Sequence, residues 1–206
     1  MDILLVLDKI NKSENVWKAQ YMAIWNYIFY LRKEYENTSL WKEKIPFGLP
    51  ASRKGNYPFI PGELVDILGS IDSELQFVHL VNLFSLFGTL LNESSKILCP
   101  NVEKNKHKNV SMEKFFDNVK ILSPGQIKEL KLAREARNCY IHNKNKIDTK
   151  WINSYTEVRG KILVKEGDDI KDIFPNLYQI EDWHQLIRNT SNEIEKQIKN
   201  LTNHQI

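Results

Sequence analysis

An arginine, an asparagine and a histidine stand close together in the second half of the chain as Arg137, Asn138 and His142. A guanidinium is always charged and can bind two phosphate oxygens at once, so it can stabilise the charge that develops on a phosphate. Histidine, whose unperturbed pKa is about 6.5, can take up or deliver a proton near neutral pH. An asparagine amide can orient either a histidine or a phosphate oxygen. Together these groups suit cleavage of RNA through its own 2′-hydroxyl, a reaction that requires no metal ion.

A helix that begins at Ser123 and Pro124 is predicted to carry all three residues. Serine is a favoured N-cap, and proline is favoured at the first helical position; the pattern continues to about Ile141 or His142. Positions five apart on a regular helix point about 140° away from each other. The three side chains can therefore converge only if the helix frays or tightens near His142. The alternative is structural: the arginine caps or pairs at a helix end and the histidine contacts terminal carbonyls.

The segment Arg137-Asn138-Cys139-Tyr140-Ile141-His142-Asn143 resembles the Arg-x(4–6)-His signature of the HEPN superfamily (higher eukaryotes and prokaryotes nucleotide-binding). The continuation is similar to members in which the motif is followed by an Ile-Asp-x-x-aromatic exit, here Ile147, Asp148 and Trp151. The close match covers about 15 residues, from Arg137 to Trp151. Beyond them only the helical character is shared.

The resemblance implies a small helical bundle that dimerises and joins two motif helices into one composite cleft. Active members are ribonucleases that act as toxins, in abortive infection and other antiphage systems, or in CRISPR effectors; other members are non-catalytic. Carried onto this chain, Arg137 and His142 would be catalytic and Asn138 supporting. The implied partners are RNA, a second copy of the chain and an antitoxin or defence-system protein. The alternative is an inactive helical module that acts in binding or regulation.

One position departs from a subgroup of that superfamily. Members paired with a nucleotidyltransferase antitoxin have a tyrosine two residues after the histidine, and this chain has Lys144 there. Regulation through modification of that tyrosine is therefore not expected.

Basic residues are concentrated in one quarter of the chain. Residues 101–150 contain 12 Lys+Arg and 6 Asp+Glu, a balance of +6, which leaves 17 against 20, or −3, for the remainder. This asymmetry suits an anionic partner, although a solvated basic face is an equal alternative on this fact alone. The residues expected to bind RNA are Lys104, Lys106, Lys108, Arg134, Lys144 and Lys146.

The hydrophobic periodicity predicts an all-α fold, a compact helical bundle in a single domain over residues 1–206. Helices are expected at 12–36, 63–98, 112–122, 123–142 and 181–201, and residues 151–158 form a further candidate helix. Trp25 and Phe29 are expected to widen the apolar stripe of the first helix. Prolines and glycines predict a loop at 37–61, and residues 161–170 are a candidate for a small β-hairpin.

Composition limits the other possibilities. A chain with 42% apolar residues can bury a core, and two cysteines favour a reducing, cytoplasmic setting. No Walker loop, GxGxxG, HExxH or GxSxG motif occurs, so we expect no cofactor and no metal site. The apolar stretch 77–91 is interrupted by polar residues, which favours a core helix over a membrane span. His79 and Cys139 are interpreted as core residues rather than catalytic ones.

Overall fold

The computed structural model describes residues 3–43, 45–48, 56–100, 111–161, 163–173 and 177–203. The fold is all-α, as predicted. The helices of this described part are α1 (Ile3–Tyr35), α2 (Pro61–Leu98), α3 (Met112–Val119), α4 (Pro124–His142), α5 (Thr149–Arg159), α6 (Ile170–Ile173) and α7 (Leu177–Asn203). A 3₁₀ turn covers Ser39–Lys42, and two short strands, β1 (Ile45–Gly48) and β2 (Asn56–Phe59), precede α2.

The first helix differs from its prediction at both its start and its exposed face. It begins at Ile3 rather than near residue 12, because Val6, Leu7 and Ile10 are buried at helical spacing. Trp25 and Phe29 do not widen the buried stripe: Phe29 is 70% exposed, and Trp25 lies at the surface, where its indole N–H donates to Asp72. The prediction that these two aromatic residues join the core was wrong.

The proline-rich segment contains more regular structure than a loop. β1 and β2 pair as antiparallel strands, with Ile45 opposite Phe59 and Gly48 opposite Asn56. The hairpin therefore lies here, and no strand forms among the described residues of 161–170, where the sequence placed a candidate. The backbone groups of that later segment bond elsewhere: Ile147 N–H donates to the carbonyl of Asp168, and Ile170 N–H donates to the carbonyl of Asn145.

The chain forms two compact units. The minor unit, Asn15–Gln76, has a core of Ile28, Leu31 and Val65. The major unit comprises Met1–Glu14 and Phe77–Ile206 and contains α4 with the sequence motif. The single-domain assignment of residues 1–206 stays a prediction.

Two buried clusters form the core of the major unit. One joins the start of α1 to α2, α3 and α7 and includes Phe87, Phe115 and Ile187. The other packs around α4 and α5 and includes Ala136 and Trp151. Burial of such side chains stabilises by about 1.5–3 kcal/mol each, and here it holds α4 between α2, α5 and α7.

The apolar helix α2 contributes to these clusters as predicted. Phe77, Leu80, Leu83, Phe87 and Leu90 are all at most 2% exposed. By length and composition alone α2 is long and apolar enough to cross a membrane, a test that buried core helices also pass.

Candidate functional site

The helix that carries the motif begins where the sequence predicted. The Ser123 hydroxyl accepts from the backbone N–H of Gln126, and the Gln126 side chain accepts from the N–H of Ser123. Pro124 occupies the first helical position. This reciprocal capping box satisfies donors that the helix itself leaves unpaired. The helix then runs without interruption to His142.

A tight turn ends α4 directly after His142. Lys144 and Asn145 both have positive φ angles, 53° and 66°, and the N–H groups of Asn143 and Asn145 both donate to the carbonyl of Cys139. The carboxylate of Asp148 closes the turn: one oxygen accepts from Asn143 Nδ2 at 2.9 Å, and the other accepts from Trp151 N–H at 2.8 Å as the N-cap of α5.

These contacts assign structural roles to the residues that follow the Arg-x4-His motif. Ile147 and Trp151 are 2% and 0% exposed in the core. Asn143 and Asp148 hold the exit turn. The Asn-x3-Ile-Asp-x-x-Trp continuation therefore ends α4, begins α5 and holds the turn next to His142.

Arg137 is held by a chain of hydrogen bonds along α4. Its Nη1 donates to Asn138 Oδ1 at 3.0 Å, and Asn138 Nδ2 donates to Glu135 Oε2 at 3.2 Å. The other oxygen of Glu135 accepts from Arg134, whose Nη1 lies 2.9 Å from Glu113 of α3. Glu135 is only 7% exposed. Asn138 thus orients the arginine rather than the histidine.

Among the arginines of the major unit, Arg137 differs in its lack of an acidic partner. Arg134 pairs with Glu113, Arg159 with Glu129 and Arg188 with Glu14. No carboxylate of the described residues pairs with Arg137, and its buried Nε makes no hydrogen bond. A buried donor without an acceptor costs about 1–3 kcal/mol.

The half-buried Arg137 lines a cavity of about 260 Å³ between α2, α3 and α4. Its walls are formed by apolar side chains, one glycine, one amide and two arginines: Phe84, Phe87, Gly88, Leu91, Asn92, Met112, Arg134 and Arg137. A half-buried cation with unused donors beside a cavity can bind an anion more strongly than an exposed one, because competition from water is smaller.

His142 does not join this arrangement within one chain. It is exposed, and no hydrogen bond connects it to another of the described residues. Because α4 stays regular to its end, the angular offset of five residues, about 140°, is retained. The structure therefore brings Arg137 and Asn138 together and leaves His142 on a different side of the same helix.

The predicted RNA-binding residues fall into three groups. Lys104, Lys106 and Lys108 lie outside the described residues. Lys144 and Lys146 are exposed on the turn after His142, and Lys146 lies 3.9 Å from Asp169. Arg134 is half-buried and bound by two glutamates, so its charge is committed within the protein.

The two residues interpreted as core residues are buried. Cys139 is 0% exposed, and burial raises the pKa of its thiol to about 11, which disfavours a thiolate nucleophile. His79 Nε2 lies 2.7 Å from His184 Nδ1, and the two rings stack at 4.6 Å. Within the described chain, no group of three or more His, Cys, Asp or Glu side chains is placed to hold a metal ion.

No family model matches this chain, and no curated protein or solved structure is significantly similar to it.

Sequence reasoning missed Glu135 and the cavity walls. Glu135 had a local signal, since it stands three residues before Asn138, a spacing at which side chains on a helix meet. No local sequence signal indicated the cavity residues Phe84, Asn92 and Met112. They lie on α2 and α3, and only tertiary packing brings them to Arg137.

Proposed function

We propose that this protein is a metal-independent endoribonuclease, resembling the HEPN superfamily, that cuts RNA at a composite site between two copies of the chain. A role as a toxin or antiphage defence effector in the cytoplasm follows from the same resemblance. The observation that carries the proposal is Arg137: a half-buried arginine without an acidic partner, oriented by Asn138 and facing a cavity.

In the proposed reaction the 2′-oxygen of the RNA attacks the adjacent phosphorus, and the bond from phosphorus to the 5′-oxygen breaks. One His142 takes the proton from the 2′-hydroxyl, and a second His142 delivers a proton to the leaving 5′-oxygen. Arg137 stabilises the negative charge on the phosphoryl oxygens. The products are a 2′,3′-cyclic phosphate and a 5′-hydroxyl.

The position of His142 is the reason for placing the site between two chains. The histidine is exposed at the end of α4 and points away from Arg137 of its own chain. A two-fold axis near the end of α4 would bring the two exposed histidines to one cleft, and the proposed site further requires that His142 of one copy reaches the phosphate bound by Arg137 of the other copy. One histidine cannot readily serve as base and acid on opposite sides of one phosphorus, whereas two can.

The same separation supports a second candidate function. If the chain acts as a monomer, Arg137 and His142 do not meet on one phosphate, and the protein is then a helical binding or regulatory module. In that role Arg137 would bind an anion without cleaving it.

The first test is cleavage of a mixed RNA pool by pure protein in the presence of EDTA. Wild-type protein should cut RNA, leave DNA of the same sequence intact and yield 2′,3′-cyclic ends. Loss of Arg137 in Arg137→Ala should lower the rate by about 10²–10³-fold, and His142→Ala by about 10²–10⁴-fold. Arg137→Lys keeps the charge without the two-pronged geometry and should recover only part of the rate.

A matched control is Arg32→Ala, which removes an exposed arginine from α1 in the minor unit. It should cut as fast as wild type. Absence of cleavage by the wild-type protein, or unchanged cleavage by both motif variants, would reject the nuclease in favour of the binding module.

A further inference from the structure

The cavity beside Arg137 combines features that suit a nucleotide rather than a simple anion. Phe84 is half-buried and presents an aromatic ring, Asn92 contributes a side-chain amide, and Arg137 contributes the charge. The Asn92 amide makes no hydrogen bond to any residue that the structure describes. Proteins bind unstacked RNA bases by stacking them on aromatic rings and hydrogen bonding to their edges.

We propose that this cavity seats one unstacked base of the RNA, next to the phosphate that Arg137 binds. This inference rests on the proposed function and deepens it, because it assigns residues that recognise the substrate beside the residues that cleave it. Phe84 would stack on the base, Asn92 would hydrogen bond to its edge, and Met112 would pack against its rim.

The size and charge of the cavity limit its occupant to a small molecule or group. Its volume of about 260 Å³ lies just below the range of about 300–1,000 Å³ typical of pockets for drug-sized ligands. The second arginine in the wall, Arg134, is bound to Glu113 and Glu135, so Arg137 supplies the free positive charge for one phosphate. One base and its adjacent phosphate agree with both the size and the single free charge.

Substitution of Gly88 by a larger residue can fill this cavity. It lines the cavity, and an added Cβ there meets no atom within 4 Å. Gly88→Leu should fill the space while preserving α2, because leucine favours a helix interior more than glycine does. Gly69 lies on the same helix, its added Cβ also meets no atom within 4 Å, and it does not line the cavity beside Arg137. Gly69→Leu is therefore the matched control.

The experiment measures binding of short RNA oligonucleotides in which every 2′-hydroxyl is methylated, so that binding is read without cleavage whether or not the wild type cuts. Each nucleotide in turn is replaced by an abasic residue. In wild type and Gly69→Leu, abasic replacement at one single position should lower the affinity by about 5- to 150-fold, the range of one base–aromatic stack. Gly88→Leu should bind the intact oligonucleotide about 5- to 150-fold more weakly than wild type does. Its affinity should not fall further on abasic replacement at that position.

The other outcomes separate this inference from the nuclease. If the wild type cuts RNA but Gly88→Leu shows the wild-type abasic profile, the base seat is rejected and the nuclease stands. If the wild type binds with one base-sensitive position that Gly88→Leu abolishes but cuts nothing, the seat stands and the nuclease is rejected. Free nucleoside monophosphates that bind as tightly as the oligonucleotide, and are excluded by Gly88→Leu, would identify a free nucleotide as the occupant and overturn the assignment to RNA.

Discussion

Two arginines three positions apart on α4 show that the availability of a charged side chain depends on its neighbours. Arg134 is bound by Glu113 and Glu135, whereas Arg137 donates to the neutral amide of Asn138. The same residue type is thus a structural cation at one position and an available one at the other. Asn138 is suited to this role because an amide orients the guanidinium without neutralising its charge.

The buried pair of His79 and His184 predicts how stability depends on pH. Burial, followed by repulsion from His184, lowers the pKa of His79 to about 3, while Glu14 opposes the shift. Glu14 is itself paired with Arg188 of α7. The unfolded chain takes up a proton at its histidines as the pH falls below about 6.5, and the folded state does not take one up at His79.

The free energy of unfolding should therefore fall as the pH is lowered from about 7 to 5. The slope contributed by one such group is at most about 1.4 kcal/mol per pH unit. Urea denaturation of wild type and His79→Gln measures it, and the variant should show a shallower slope. Asn82→Gln, at an exposed position of the same helix, is the control and should keep the wild-type slope. An equal slope in wild type and His79→Gln would contradict the assignment.

At the level of elements, the turn between α4 and α5 decides where His142 lies. Asp148 caps α5 and holds Asn143, which follows the histidine directly. Ser123 caps the other end of α4 by equivalent chemistry, far along the helix from His142. Comparing the loss of each cap therefore distinguishes an effect on the free energy of unfolding from an effect on the position of His142.

Ser123→Ala and Asp148→Ala should each lower the free energy of unfolding by about 0.5–2 kcal/mol, the cost of a lost N-cap. Only Asp148→Ala should also slow RNA cleavage, because it releases the turn that positions His142. Urea denaturation and the cleavage rate measure the two effects. Equal cleavage by both variants would show that the turn does not position a catalytic group.

At the level of the whole molecule, the proposed chemistry requires two chains. Within one chain Arg137 lines a cavity between α2, α3 and α4, and His142 is exposed at the end of α4. A symmetric dimer that joins the ends of α4 would place the two histidines together. The interface would then be part of the active site and not merely a means of stabilisation.

A dimer with one wild-type and one His142→Ala subunit tests this arrangement. If both histidines act on one phosphate, the purified mixed dimer should be as slow as the variant homodimer, about 10²–10⁴-fold below wild type. A mixed dimer with one Arg32→Ala subunit should keep full activity. Sedimentation should show dimers in each case. A mixed dimer that retains half of the activity would indicate independent sites and refute the shared cleft.

Sequence patterns alone predicted the all-α class, the capped start of α4, and the presence of Arg137, Asn138 and His142 on that helix. These features depend on local rules, since capping, proline placement and apolar spacing act within a few residues. The end of α4 near His142 was predicted for the same reason. Local rules also set the offset of Arg137 from His142, because helical geometry fixes the angle between them.

The availability of each charge, and the residues around it, depend on contacts between distant parts of the chain. Arg134 was expected to bind RNA, but Glu113 on α3 and Glu135 engage it. The placement of the hairpin also depended on long-range pairing: residues 165–170 bond to the turn after α4. The cavity beside Arg137 forms because α2 and α3 bring Phe84, Gly88 and Met112 to it. Such contacts join residues far apart in the chain. Local residue spacing therefore does not predict them, because they depend on how the helices pack.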